Sequence, residues 1–155
     1  MIRKLFNKKT SLPFLVLLVF IFLFSLFFIH SRPVDKKTGK IKIGAAVVDV
    51  EIASSPAEHY LGLSYRDSLL ENSGMLFLFQ NEEERAFVMR DMRFTLDIVF
   101  IDKNEIVSIY KDLPFDEDSQ GVLYESLYPV DKVLELNGGF CDKNKIKVGD
   151  FLEFL

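Results

Sequence analysis

Residues 12–29, LPFLVLLVFIFLFSLFFI, constrain this chain more than any other stretch: 16 of the 18 are apolar and none is charged. At about 1.5 Å per residue a helix of that length covers roughly 27 Å, close to the ~30 Å hydrocarbon core of a bilayer. Pro13 falls in the first turn, where a helix tolerates it. A cleavable signal sequence usually has a shorter apolar run, about 7 to 15 residues, with small residues before the cut. Here the run ends in Phe27, Phe28 and Ile29, followed by His30 and Ser31. The expectation is an uncleaved, single-pass transmembrane anchor, with secretion after cleavage as the alternative.

Charge divides the chain at the same place. The first 30 residues hold four basic and no acidic side chains; the remaining 125 hold 15 basic and 23 acidic ones, a net −8. A basic leader before the apolar run favours an N-terminus inside and a domain outside, although Arg32, Lys36, Lys37, Lys40 and Lys42 follow closely and nearly balance the bias. The expected organisation is a basic segment (1–11), an anchor (12–29), a linker (30–40) and one domain (41–155). The linker reads as a solvated spacer, or as a basic strip touching anionic head groups. An acidic domain lacks the basic face that nucleic acid requires. The single cysteine, Cys141, excludes an internal disulfide framework and a cysteine-based zinc cage. No nucleotide or metal fingerprint is present, so no cofactor is expected.

The domain reads as strands. Residues 41–53 alternate, with Val48, Val50 and Ile52 opposite Asp49 and Glu51, as in a half-buried strand. Ser55-Pro56-Ala57-Glu58 is a capping box with proline at the first helical position, so a short helix should run through His59, Tyr60 and Leu61 to about Gly62 or Arg66. Strands are expected at 74–79, 86–89, 123–126, 133–136 and 151–154, with 80–84 as an exposed turn. Residues 96–102 and 105–111 should form a hairpin across Lys103-Asn104. Short strands with few helical stretches predict a mostly β fold, a small jelly-roll-like sandwich or barrel with one or two short helices.

The string GLSYRDSLLENSGMLFLF (62–79), then AFVMRDMRFTLDIVFID (86–102), Pro114, VLELNGG (133–139) and IKVGD (146–150) resembles the uncharacterised DUF192 (UPF0127) family over about residues 46–155. Its pattern runs roughly GLM.R..L....GMLF.F, FWM.NT..PLD..FI, a proline, VLE...G and I..GD. The resemblance implies a small jelly-roll-like β domain, often behind a signal peptide or anchor, and no established activity. Arg66, Gly74, Met75, Phe77, Phe79, Met89, Leu96 and Asp97 fit the pattern. Ser64 stands where the family has methionine, Val88 where it has tryptophan, Asp91-Met92 where it has Asn-Thr, and Thr95 where it has proline. The missing tryptophan removes a ring that could stack on a ligand, and Asp91 adds negative charge nearby.

The candidate ligand-binding residues are Arg66, Met75, Met89, Asp91 and Asp97. Arginine presents a planar fork suited to carboxylate or phosphate; held by an aspartate it either orients a ligand or ties helix to strand. Met75 and Met89, with Phe77, Phe79 and Phe87, suit an adaptable pocket or an ordinary core. His59 and Cys141 raise a nucleophile reading, but a thiol just after a Gly-Gly turn reads better as a small apolar residue. Residues 116–121 begin like a calcium loop, yet Leu127 stands where the closing glutamate belongs, so a solvated acidic loop is expected. No catalytic set assembles. The function expected is a membrane-anchored, extracytoplasmic, non-catalytic module for a small ligand, glycan or envelope protein. The alternative is an envelope hydrolase or transferase using Asp91 with Asp97, or Cys141 with His59.

Overall fold

The computed structural model describes residues 12–30, 36–116, 119 and 121–155, in two units that divide between Asp35 and Lys36. The basic N-terminal segment, residues 31–35 of the linker, and Glu117, Asp118 and Gln120 of the acidic loop lie outside the described residues. In the first unit α1 spans Leu12–His30. Val16 through Phe24, nine apolar side chains in a row, are each roughly half or more exposed. The side chains described in α1 are those of 16–25, a stretch of about 15 Å. Counted over the described residues, no helix is long and apolar enough to cross a membrane.

The second unit is mostly β. The stretch 41–53 is two strands, not one: β1 (Thr38–Ile43) and β2 (Ala46–Ala53) pair antiparallel around Gly44, whose φ of 56° belongs to the left-handed region that glycine enters freely. The buried set shifts from Ile41 and Ile43 to Val48 and Val50, and the continuous apolar run at 45–48 conceals that break in the alternation. Then α2 (Pro56–Leu61) forms on the expected capping box, with Ser55 N donating to Glu58 Oε2 at 2.8 Å and Glu58 N to Ser55 Oγ at 3.3 Å. It carries the chain back to β3 (Ser73–Glu83), which runs parallel to β2. β3 continues through the acidic residues read as a turn, since their exposed side chains let them extend the strand toward solvent.

Next come β4 (Ala86–Phe87), β5 (Leu96–Asp102), β6 (Glu105–Leu113), β7 (Tyr124–Glu125), β8 (Val130–Asn137), α3 (Phe140–Lys143) and β9 (Leu152–Phe154). Seven strands make one sheet in the order β6-β5-β8-β3-β2-β1-β9, while β4 and β7 pair separately. The two edges of the large sheet meet at one end. Ile106 N donates to Asp150 O and Leu152 N to Asn104 O, at 2.9 and 2.8 Å, and Glu105 bridges Phe151. The sheet is therefore curled and closed at that end. The expected mostly β class holds, but the parallel β2·β3 pair departs from an antiparallel jelly roll. A parallel neighbour needs a crossover of a dozen or more residues, and residues 54–72 with α2 supply it.

Both faces of the sheet are buried. Ile41, Ile43, Val48, Val50, Leu76, Val99, Ile106, Leu134 and Leu152 form one cluster, to which all seven strands contribute: the inside of the roll, covered by α3 through Phe140 and Cys141. Met75, Phe77, Leu96, Ile98, Phe100 and Val133 form a second cluster on the outer face, with Leu63, Met89 and Met92 packed over it. Strand parity decides the cluster, since successive side chains point to opposite faces. An acid placed on the outer row of a central strand thus meets protein instead of water.

Candidate functional site

Register places Glu51 of β2 opposite Met75 of β3, Met75 opposite Glu135 of β8, and Glu135 opposite Ile98 of β5. Neighbouring strands lie about 4.8 Å apart, so Glu51 and Glu135 flank Met75 on the outer face at a backbone separation of roughly 10 Å. Arg66, in the crossover after α2, grips Glu51 with both arms: Nη1 donates to Oε1 at 2.6 Å and Nη2 to Oε2 at 2.8 Å. Lys36 adds a third contact at 2.9 Å. The Arg66 hydrogen bonds hold Glu51 down to about 2, against the opposing effect of burial.

Glu135 has no such partner. Its residue is 5% exposed, and Oε2 is buried without a hydrogen bond. Burial pushes its carboxyl up to about 8, opposed only by the field of Arg66. At neutral pH it is therefore mainly a neutral acid, able to donate one proton and accept through the other oxygen.

That carboxyl lines a cavity of about 410 Å³, within the range of roughly 300 to 1,000 Å³ typical of small-ligand sites. One wall is α2 and the turn that ends it. His59 stacks against Phe79 at 4.6 Å between ring centres, and its Nε2 lies 3.1 Å from Ala53 O, a bond that needs the proton on Nε2. Gly62, at φ 49°, packs over this part of the lining: a Cβ there would stand 3.8 Å from Glu135 Oε2 and 3.5 Å from the Phe77 ring. Phe77 and Phe87 meet edge to face at 5.0 Å. Two guanidinium groups complete the lining: Arg85 lies 4.1 Å over Phe79, and Arg90 lies 4.0 Å over Tyr60 while donating to the Tyr60 carbonyl. The cavity thus combines aromatic walls, one buried acid and two cations.

The residues singled out from sequence are distributed differently from the expectation. Arg66 and Met75 sit together in the Glu51–Glu135 row, and the partner of Arg66 is Glu51. Asp97 occupies the opposite face of β5, fully buried, and accepts from Asp112 N at 2.7 Å, Gly139 N at 2.9 Å and Cys141 N at 2.7 Å. It fixes α3 and the end of β6 to the sheet. Asp91 occupies a turn at φ 54°; its carbonyl accepts from Tyr65 N at 2.9 Å, and its carboxylate raises the Tyr65 hydroxyl through a hydrogen bond. Met75 and Met89 are core residues of the outer cluster. Cys141 is fully buried, and desolvation pushes its thiol far up, so no thiolate is available. Asp116 caps its own loop by accepting from Ser119 N at 3.0 Å. Among the described residues no three metal-ligating side chains converge.

Glu135 and Arg85 were not among the candidates. Glu135 alternates with Leu134 and Leu136, which is the pattern of a solvent-facing acid; only the covered outer face reverses that reading. Its place in the VLE element was the available signal. Of the positions that depart from the family pattern, Ser64, Val88 and Met92 line the cavity, while Asp91 and Thr95 do not. Two of these three are smaller than the pattern residue, methionine at 64 and tryptophan at 88, so the changes enlarge the space.

Fold and site together define a class: a curled, mostly β domain with a cavity of about 410 Å³ on its outer face. Residues 39–154 match DUF192, described as Uncharacterized ACR, and the chain belongs to that family. No curated protein sequence matches it. Two solved structures resemble it closely. One, a proposed transcription regulator from Sinorhizobium meliloti 1021, is 28% identical with a TM-score of 0.73, covering 79% of this chain and 98% of its own. The other, a protein of unknown function from Novosphingobium aromaticivorans DSM 12444, is 29% identical with a TM-score of 0.70, covering 79% and 89% respectively.

Proposed function

We propose that the chain is a membrane-anchored, extracytoplasmic binding module that holds a small ligand, without catalysis, in the cavity over Glu135. The observation that carries this is the carboxyl itself. A buried polar atom left without a partner costs about 1 to 3 kcal/mol, and Glu135 Oε2 stands in that state in a residue that lines the cavity. A ligand donor would relieve the cost. The anchor rests on the apolar run at 12–29, the helix over it, and a row of apolar side chains with no polar face, a surface suited to lipid. The outward orientation rests on the basic leader.

Catalytic readings have little to work with, because Asp97 commits its oxygens to three backbone donors and the Cys141 thiol stays protonated. Direct nucleic-acid binding finds no support in a domain of net −8. The test is thermal shift of the full chain in detergent across amines, carboxylates, amino acids and sugars, alongside Val88→Trp. At least one class should raise the wild-type midpoint by several degrees, and the tryptophan, by filling the cavity, should abolish the response. No response from any class would refute ligand binding. Reporter fusions after residue 35 should read extracytoplasmic; a cytoplasmic signal would refute the orientation.

A further inference from the structure

Four buried side-chain atoms among the described residues lack a hydrogen bond: Arg85 Nε, Asp102 Oδ1, Asp131 Oδ1 and Glu135 Oε2. The two aspartates are each ion-paired through their other oxygen, to Lys103 at 3.8 Å and Lys132 at 2.6 Å. Arg85 and Glu135 are the pair that share a cavity. They become complementary once Glu135 gives up its proton, since Nε–H can only donate and the ionised carboxylate can only accept. Arg85 is also held in place: Nη1 lies 3.2 Å from Glu83 Oε2, Nη2 donates to Asn81 O at 2.8 Å, and the guanidinium packs on Phe79. Its other arms are engaged, and the unused Nε–H belongs to a preorganised group.

We propose that the cavity takes a small zwitterion of the amino-acid kind, with its ammonium on Glu135 Oε2, its carboxylate on the Nε–H of Arg85 and an apolar side chain against Phe77 and Phe87. This rests on the binding reading above and names its ligand class. Each unpaired atom then acquires the complement it lacks, and each charge on the ligand acquires a counter-charge. An anion alone would leave the acid unanswered; an amine alone would leave Arg85 so. The aromatic walls favour a cation at the acid's end and an apolar group beside it.

Charge balance gives the proposal a distinctive signature. Empty, Glu135 holds its proton; on binding the ammonium, the O–H bond breaks, the proton passes to solvent, and the carboxylate pairs with the ligand. Other charged or titratable groups lining this space are His59 and Tyr60 of α2, and Glu84 and Arg90 beside β4; Arg66, outside the lining, contributes a field that already favours the ionised acid. With the carboxyl near 8, binding at pH 7 releases close to one proton, about half of one at pH 8 and almost none by pH 9.

The experiment is calorimetry on the full chain in detergent at pH 7, in two buffers of different ionisation enthalpy, with L-phenylalanine, phenethylamine and 3-phenylpropionate as probes. Phenylalanine should bind with close to one proton released, and each one-charge analogue at least tenfold more weakly. Glu135→Gln should weaken phenylalanine at least tenfold and abolish proton release, and Arg85→Lys, which removes the Nε–H, should weaken it to a similar degree. Equal binding of 3-phenylpropionate, or phenylalanine binding without proton release, would overturn the proposal even if the Gln variant failed to fold. If none of the three binds while another compound class gives a Val88→Trp-sensitive thermal shift, this ligand class falls and the binding module stands. If nothing binds at all, both fall.

Discussion

At the scale of single residues, two glutamates flanking Met75 behave oppositely because of one arginine. Glu51 receives both arms of Arg66, while Glu135 receives only its distant field. Their pH signatures have opposite sign. Glu51, held at about 2, contributes stability that is present above about 4.5 and lost as pH falls toward 2. Glu135 is raised, so its native form is favoured below about 4.5 and loses ground as the unfolded chain ionises, up to about pH 8. Glu135→Gln removes the second effect alone. Denaturation midpoints measured from pH 4 to 9 should therefore show the variant gaining about 1.4 kcal/mol per pH unit on the wild type between 4.5 and 8, then levelling. Parallel curves would mean that the carboxyl is hydrated or paired. Arg66 was recognisable in the sequence as a fork awaiting an anion. Its true partner was not, because register between separate strands has no local signal.

At the scale of elements, local chemistry was most legible where one short segment contained its own reason. The capping box of α2 and the β5–β6 hairpin formed where composition placed them, since both are closed by residues within a few positions of each other. The Gly44 turn is hard to see because the apolar run at 45–48 that follows it hides the shift in alternation. α3 was missed because its four residues are too few to show periodicity and its start is set by Asp97, more than 40 positions earlier. That aspartate connects three elements through buried hydrogen bonds. Asp97→Ala should cost on the order of 3 kcal/mol or more in urea unfolding, since three donors lose their acceptor, whereas Asp91→Asn, in a half-buried left-handed turn that asparagine accepts, should stay within about 0.5 kcal/mol. Equal costs would contradict the assignment of Asp97 to structure and Asp91 to the surface.

At the scale of the molecule, closure of the sheet determines where a ligand can sit. Joining β6 to β9 seals the inner cluster, so open space is left on the outer face, between the sheet and the segments that cross it. The β class was legible because alternation and turn residues are local; the sheet order was not, because three of its six pairings join strands far apart in sequence. The +4 leader and the −8 remainder keep the division visible in composition, and the cavity belongs to the acidic part. The central claim is that an unpaired, protonated acid waits inside that cavity. Carbon-detected NMR titration of the Glu135 side chain in the full chain tests it directly. The carboxyl should titrate near 8 without ligand and fall by more than one unit with saturating L-phenylalanine. A midpoint near the ordinary 4.5, unmoved by phenylalanine, would contradict it.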